Sequence, residues 1–318
     1  MSRPRTTTTV LVAPAALVAF LWGVNFLAID VSLRHFPPMF LAALRFALIA
    51  LPTLLFIRKP DVPWRWLIGY GLGFGAAQFF FLYWAMDVGM PTGLASLVLQ
   101  CSAPFTVILG AFFLQERLNG TKLIGILIAV GGLAIVGWSR WQTASIVPFV
   151  LTVFAGFGWA VGNICNRQAR TSEPLRLTLW MSVVPPLPLF AASMMFEGPA
   201  RIQVALSDVL SPAGLAAVGG LMFTVIVATI GASGIWTWLM SRHPSGVVAP
   251  FSLLVPVFGM SAAWLVLGEN PSIAEIIGAI LIVTGVLLGT MRSDRSARTG
   301  VRSRSPSRHH GQQHQHQQ

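Results

Sequence analysis

The chain has 318 residues, of which 55% are hydrophobic and 10% charged, and its mean hydropathy is +0.72. That balance excludes a soluble globular domain. A formal charge of +11 does not indicate nucleic acid as a partner, because the basic residues stand singly between apolar runs or gather in the C-terminal tail.

Crossing about 30 Å of hydrocarbon takes roughly 20 apolar residues in a helix. Cutting the chain where charge, Pro or Gly clusters interrupt such runs predicts ten spans, near 10–28, 38–57, 66–86, 92–114, 121–138, 146–166, 175–195, 213–238, 245–267 and 273–291. The first has no small-residue cleavage site after it and continues through Trp22, Asn25 and Asp30, so it reads as a retained helix. Within it Asn25 lies one turn from Trp22, and the pair shares a face. Span two carries Arg45, the one clear intramembrane charge, which either attracts a substrate carboxylate or snorkels outward beside Asp30 and His35. Gln78 falls mid-span in the third. Gln100 lies one turn after Ser96 in the fourth, and Asn163 one turn after Trp159 in the sixth.

Pro104 and Pro256 fall near the middles of spans four and nine. Each removes an N–H and frees the carbonyl four residues earlier, those of Gln100 and Ser252. Two kinks with polar residues at the freed carbonyls fit a midplane binding site, or else merely shape the helices. Ser272 followed by Glu275 reads as a capping box for span ten. The pairs Gly69/Gly73, Gly71/Gly75, Gly158/Gly162 and Gly285/Gly289 have the spacing of close helix contacts. Cys101 and Cys165 sit singly in apolar runs and read as packing residues, with no metal site. Beyond residue 292 the composition turns to Ser, Arg, Gln and His, and a disordered tail is expected.

With the N-terminus inside, 17 of the 21 Lys and Arg fall in cytoplasmic segments and three, Arg34, Arg140 and Arg201, fall outside, which places both termini in the cytoplasm. The chain also repeats itself. Pro91-Thr92-Gly93 returns as Pro244-Ser245-Gly246, Glu116 as Glu269, Gly125 as Gly278 and Gly132 as Gly285, all displaced by 153 positions. Phe20, Trp22 and Val24 return as Phe157, Trp159 and Val161 at a displacement of 137. Five spans per unit is odd, so the second unit, 146–291, enters from the side opposite to the first, 1–145. The expected fold is an all-α integral membrane protein of two inverted five-helix repeats, the usual build of secondary transporters.

The run Trp22-Gly23-Val24-Asn25-Phe26, the stretch from Gly69 to Phe79, the run from Gly89 to Gln100, the Glu116-Arg117-Leu118 turn, Trp159 with Asn163, and Val248-Ala249-Pro250 with Leu253-Leu254-Val255-Pro256 resemble the EamA family of the drug/metabolite transporter superfamily. The resemblance covers residues 10–291. It implies a multi-pass protein of the bacterial inner membrane that exports small amino acids or related metabolites of the cysteine and O-acetylserine kind.

Polar groups inside a bilayer are costly and mark function by default. The substrate-binding candidates are therefore Asn25, Gln78, Gln100, Ser96, Asn163 and Ser252, with Trp22 and Trp159 as cavity walls and Pro104 and Pro256 as kinks. Amides suit the zwitterionic end of an amino acid, though they also tie helices together. No cofactor is implied. The expected partners are a small-molecule substrate and the lipid bilayer, with a homodimer as one assembly to consider. Alternatives are export of a different metabolite or drug, or a membrane-embedded enzyme. The enzyme reading is disfavoured because the spans carry no HExxH, no GxSxG and no Asp or Glu at depth.

Overall fold

The computed structural model describes residues 6–115, 120–143, 145–243 and 248–291. The expected tail, Glu116 and the Pro244-Ser245-Gly246 signal lie outside the described residues. Helices are the only regular structure among the described residues, as hydrocarbon demands of a chain that must satisfy its own backbone. Nine of them are long and apolar enough to cross a membrane, and a tenth apolar helix is shorter. They are α1 (Thr6–Leu33), α2 (Pro38–Phe56), α3 (Trp64–Asp87), α4 (Thr92–Leu114), α5 (Gly120–Thr143), α6 (Val147–Ala169), α7 (Pro174–Phe196), α8 (Pro212–Met240), α9 (Pro250–Leu267) and α10 (Ile273–Met291). The α7–α8 segment, which falls between two predicted spans, contains a short helix, Gly198–Ser207. The capping box forms as expected, with Ser272 N donating to Glu275 and Glu275 N to Ser272 Oγ at 3.2 Å.

Packing follows an exchange pattern. Helix α1 lies against α8 and α9, α6 lies against α3 and α4, α2 meets α7, and α5 meets α10. The closest approaches run through glycine. A Cβ on Gly132 would stand 2.8 Å from the Gly278 carbonyl, and one on Gly285 would stand 2.5 Å from the Gly125 carbonyl. Since 125 faces 285 while 132 faces 278, α5 and α10 run antiparallel. Gly73 likewise faces Gly158 and Gly162, with 2.7 Å between its hypothetical Cβ and Gly162 N.

Helices α2 and α4 begin behind prolines, Pro37 and Pro91, which have no side chain to cap the free N–H groups. Carboxylates from the second half do it instead. Glu197, only 9% exposed, accepts from Met39 N at 2.6 Å and Phe40 N at 3.0 Å, with Ser193 Oγ donating to it as well. Glu269 accepts from Thr92 N at 2.7 Å and Gly93 N at 2.9 Å. Negative charge at a helix N-terminus is favourable on two counts, hydrogen bonding and the helix dipole.

At the end where α2 and α8 finish and α3 begins, cations rest on tryptophans. Lys59 Nζ lies 4.9 Å from the Trp64 ring, Arg65 lies 5.0 Å from Trp66 and Arg242 lies 5.1 Å from Trp238. Such pairs suit a membrane–water boundary.

Glu197→Ala should lower the stability of the purified protein by about 1–2 kcal/mol, the range for a lost N-cap. Thermal unfolding in detergent checks this; an unchanged midpoint would mean that water caps α2 equally well.

Candidate substrate site

Among the described residues regular helix breaks down in five places, one of them a turn at 182–185 that divides α7 into Pro174–Met181 and Pro186–Phe196. Helix α3 contains a π-helical stretch at Gly71–Ala77 and α8 one at Phe223–Ala232. Helix α4 contains a 3-10 turn at Leu99–Cys101, and another, Ala249–Leu253, leads into α9. The third and fourth helices of the first half are thus irregular in the same way as those of the second. π-turns and mid-helix 3-10 turns often mark functional positions.

The α8 irregularity organises a polar chain through the apolar interior. Asn25, 8% exposed, accepts from Thr224 Oγ1 at 2.8 Å. Thr229 Oγ1 donates back five residues to the Thr224 carbonyl at 2.7 Å, a span the π-turn permits. Thr229 Oγ1 in turn accepts from Arg45 Nη2 at 3.0 Å, and Arg45 Nη1 donates to Tyr83 Oη at 3.0 Å. Trp22 Nε1 donates to the Ala228 carbonyl at 3.0 Å, and its ring lies 5.2 Å from Trp236.

Arg45 therefore does not snorkel. Asp30 is taken by Arg34 at 2.7 Å and His35 lies 2.9 Å from the Ala205 carbonyl, while Arg45 turns inward and is 6% exposed. Its Cζ lies 4.0 Å from the Phe79 ring centroid and 5.4 Å from that of Phe46. The inward turn is favoured because Tyr83, Thr229 and the face of Phe79 together offer what one outer carboxylate, already paired, cannot. Arg45 Nε remains buried without a partner, as does Oε1 of Gln78, itself 3% exposed.

The remaining candidates mostly join helices. Gln100 Nε2 donates at 3.4 Å to the Ser252 carbonyl, the group that Pro256 frees, so a side chain from the first half takes up the bond missing from the second. Pro104 follows its own 3-10 turn in the same way. Ser96 Oγ donates within its helix to the Gly93 carbonyl at 2.6 Å and packs on Gly259 of α9. Asn163 Nδ2 donates to Thr106 Oγ1 at 3.1 Å, tying α6 to α4. Trp159 packs edge-on against Phe74, 5.9 Å between centroids, and Phe74 against Phe79 at 6.1 Å. Cys101 and Cys165 are free thiols that pack against Gly156 and Gly69.

Asn25 and Trp22 thus converge on α8 beside Arg45, and an aromatic row leads from Trp159 to Phe79, next in sequence to Gln78. Gln100 and Ser252 form a separate tie between α4 and α9. Among the described residues no cluster of His, Cys, Asp or Glu could hold a metal ion. Sequence reasoning missed Thr224 and Thr229, whose five-residue spacing has meaning only in a π-helix.

Gln78→Leu should raise the unfolding temperature or leave it unchanged, since it removes an acceptor that has no donor. Gln100→Leu, which removes the bond to the Ser252 carbonyl, should cost about 1 kcal/mol. Thermal unfolding of the two purified variants separates them; equal losses would mean that Gln78 is bonded in the folded protein.

Comparison with known proteins agrees with this architecture. The model of the EamA-like transporter family matches residues 10–138 and again 147–291, one match in each half. A probable amino-acid metabolite efflux pump of Escherichia coli K12 is 41% identical over 280 residues, covering 86% of this chain and 92% of that protein. Its counterpart in Salmonella typhimurium is 40% identical over 292 residues, covering 89% and 96%. A probable terminal-alkyne amino-acid exporter of Streptantibioticus cattleyicolor is 28% identical and covers 87% of this chain and 92% of that protein. A solved crystal structure aligns with a TM-score of 0.58 over 92% of this chain and 99% of that one, at 22% identity, and shares the fold. The apolar helices and these relatives describe a multi-pass bacterial membrane protein of efflux type. Matched in both halves, and 40–41% identical to two efflux pumps over most of their length, this chain belongs to the EamA-like transporter family.

Proposed function

We propose that the chain is a secondary exporter of small amino acids or related metabolites, of the cysteine and O-acetylserine kind. It works by alternating access between two inverted five-helix units, 1–145 and 146–291, with both termini cytoplasmic. The observation that carries this reading is the matched irregularity of α3 with α8 and of α4 with α9, set within an exchange of helix contacts between the halves. The antiparallel pairing of α5 with α10, equivalent helices of the two units, supports inversion. Broken helices around a midplane site are the usual device of inverted-repeat carriers. The printed names of the Escherichia and Salmonella relatives support an amino-acid metabolite as cargo. Against an enzyme stands the lack of any described Asp or Glu at depth in a span with which a nucleophile or base could be built.

Purified protein in vesicles should move at least one member of a panel of small amino acids and O-acetyl-L-serine, measured with and without a proton gradient. A rate equal to that of empty vesicles for every member would overturn the export reading.

The basic residues, 17 to 3, support an inner location for the α2–α3 turn and an outer one for the α7–α8 segment. In whole cells a membrane-impermeant thiol reagent should label a cysteine introduced at Ser207 and spare one introduced at Asp61. The reverse pattern would invert the topology.

A further inference from the structure

We propose that Arg45 is the anchor for the carboxylate of the transported molecule, and that Gln78 Oε1 accepts from its ammonium group, so that the site selects free α-amino acids. The proposal rests on the export reading and names the chemistry of its site.

Arg45 is a buried cation with no Asp or Glu among its contacts with the described residues: its two hydrogen bonds there go to the hydroxyls of Tyr83 and Thr229, and its ring contacts are Phe79 and Phe46. A charge held in apolar surroundings without a counter-ion is expensive, and inside membranes such residues mark the substrate path. The geometry also limits what can neutralise it. Phe79 covers one face of the guanidinium, with 4.0 Å from Cζ to the ring centroid, so an additional partner is best met along the edge, in the plane of the N–H groups. Five N–H donors lie on that edge, of which Nε is buried and unused. Edge-on, in-plane recognition by an arginine fork is the geometry of a carboxylate.

The second orphan has the opposite character. Gln78 Oε1 is a buried neutral acceptor with no donor, on the residue that precedes Phe79 in α3. An unused donor on the cation and an unused acceptor on the adjoining helix are the two kinds of group that the ends of a zwitterion require. A neutral amide suits the ammonium group because it adds no fixed negative charge that would pair with Arg45 and fill the site from within. Trp22 and Asn25 reach the same network through α8.

Three ligand sets test this on the full-length protein in detergent, by thermal unfolding at about pH 6, where α-amino groups stay protonated. They are L-serine, O-acetyl-L-serine, L-threonine and L-methionine; their methyl esters, which lack the carboxylate; and their N-acetyl forms, which lack the ammonium. At least one free amino acid should stabilise the wild type, and its ester should need at least about tenfold more ligand for the same shift, the size of one charged hydrogen bond. Arg45→Gln should bring acid and ester to within about twofold of each other, and Gln78→Leu should do the same for the free and N-acetyl forms while leaving the ester discrimination in place. Stabilisation by no free acid, or equal shifts by acid and ester in the wild type, overturns the proposal even if Arg45→Gln fails to fold. Vesicle transport separates the two readings. Acid-selective binding without transport sinks export and keeps the anchor, whereas transport with ester and acid competing equally sinks the anchor and keeps export.

Discussion

Hydrocarbon offers no hydrogen bonds, so every backbone N–H and C=O in these helices must find its partner within the protein. Regular helix meets that demand everywhere except at helix ends and wherever proline or a changed turn breaks the ladder. The structure is organised around those exceptions. Prolines at the starts of α2 and α4 leave N–H groups that Glu197 and Glu269 take, and Pro256 leaves a carbonyl that Gln100 takes. In each case the donor and acceptor come from different halves of the chain.

The same is true of most long-range polar contacts. Trp22 with Ala228, Asn25 with Thr224, Ser32 with Ala217 and Arg45 with Thr229 all join first-half to second-half residues. The neutral ones among them contribute about 1 kcal/mol each, and the one from Arg45 about 1.5–3 kcal/mol. An interface made of glycine-mediated contact and many weak polar ties can hold the halves in one arrangement without committing them to it. The tight backbone contacts, Gly73 on Gly158 and Gly132 on Gly278, supply dispersion that depends on shape and little on direction along the helix.

Against this background of satisfied groups, two of the three buried side-chain atoms without a partner among the described residues, on Arg45 and Gln78, gain meaning; the third is Arg140 Nε. A protein that hands a carbonyl at one helix break to a glutamine side chain has the means to pair Arg45 with an acid or Gln78 with a hydroxyl. It does neither, although Thr224, Thr229 and Tyr83 stand close enough to complete most of the network.

Much of the fold was legible in the sequence, because hydrophobic length acts through the bilayer alone and needs no knowledge of neighbours. Apolar runs marked the helices to within a few residues, and the pairs Gly69/Gly73, Gly71/Gly75 and Gly158/Gly162 and the Ser272–Glu275 box were correctly read as packing and capping. Family membership was legible too, from runs such as Gly89 to Gln100. The roles of polar residues were not, since a hydrogen bond depends on which helix arrives opposite. Arg45 looked able to reach Asp30, and only the packing of α2 on α3 and α8 turned it inward. Gln100, a cargo candidate by type and depth, also meets the Ser252 carbonyl that α9 brings to it, and Glu269, marked in the sequence only as a repeated residue, caps the start of α4. Local pattern sets the elements; the partner of each polar atom is a property of the assembled helices, and only the tertiary structure decides it.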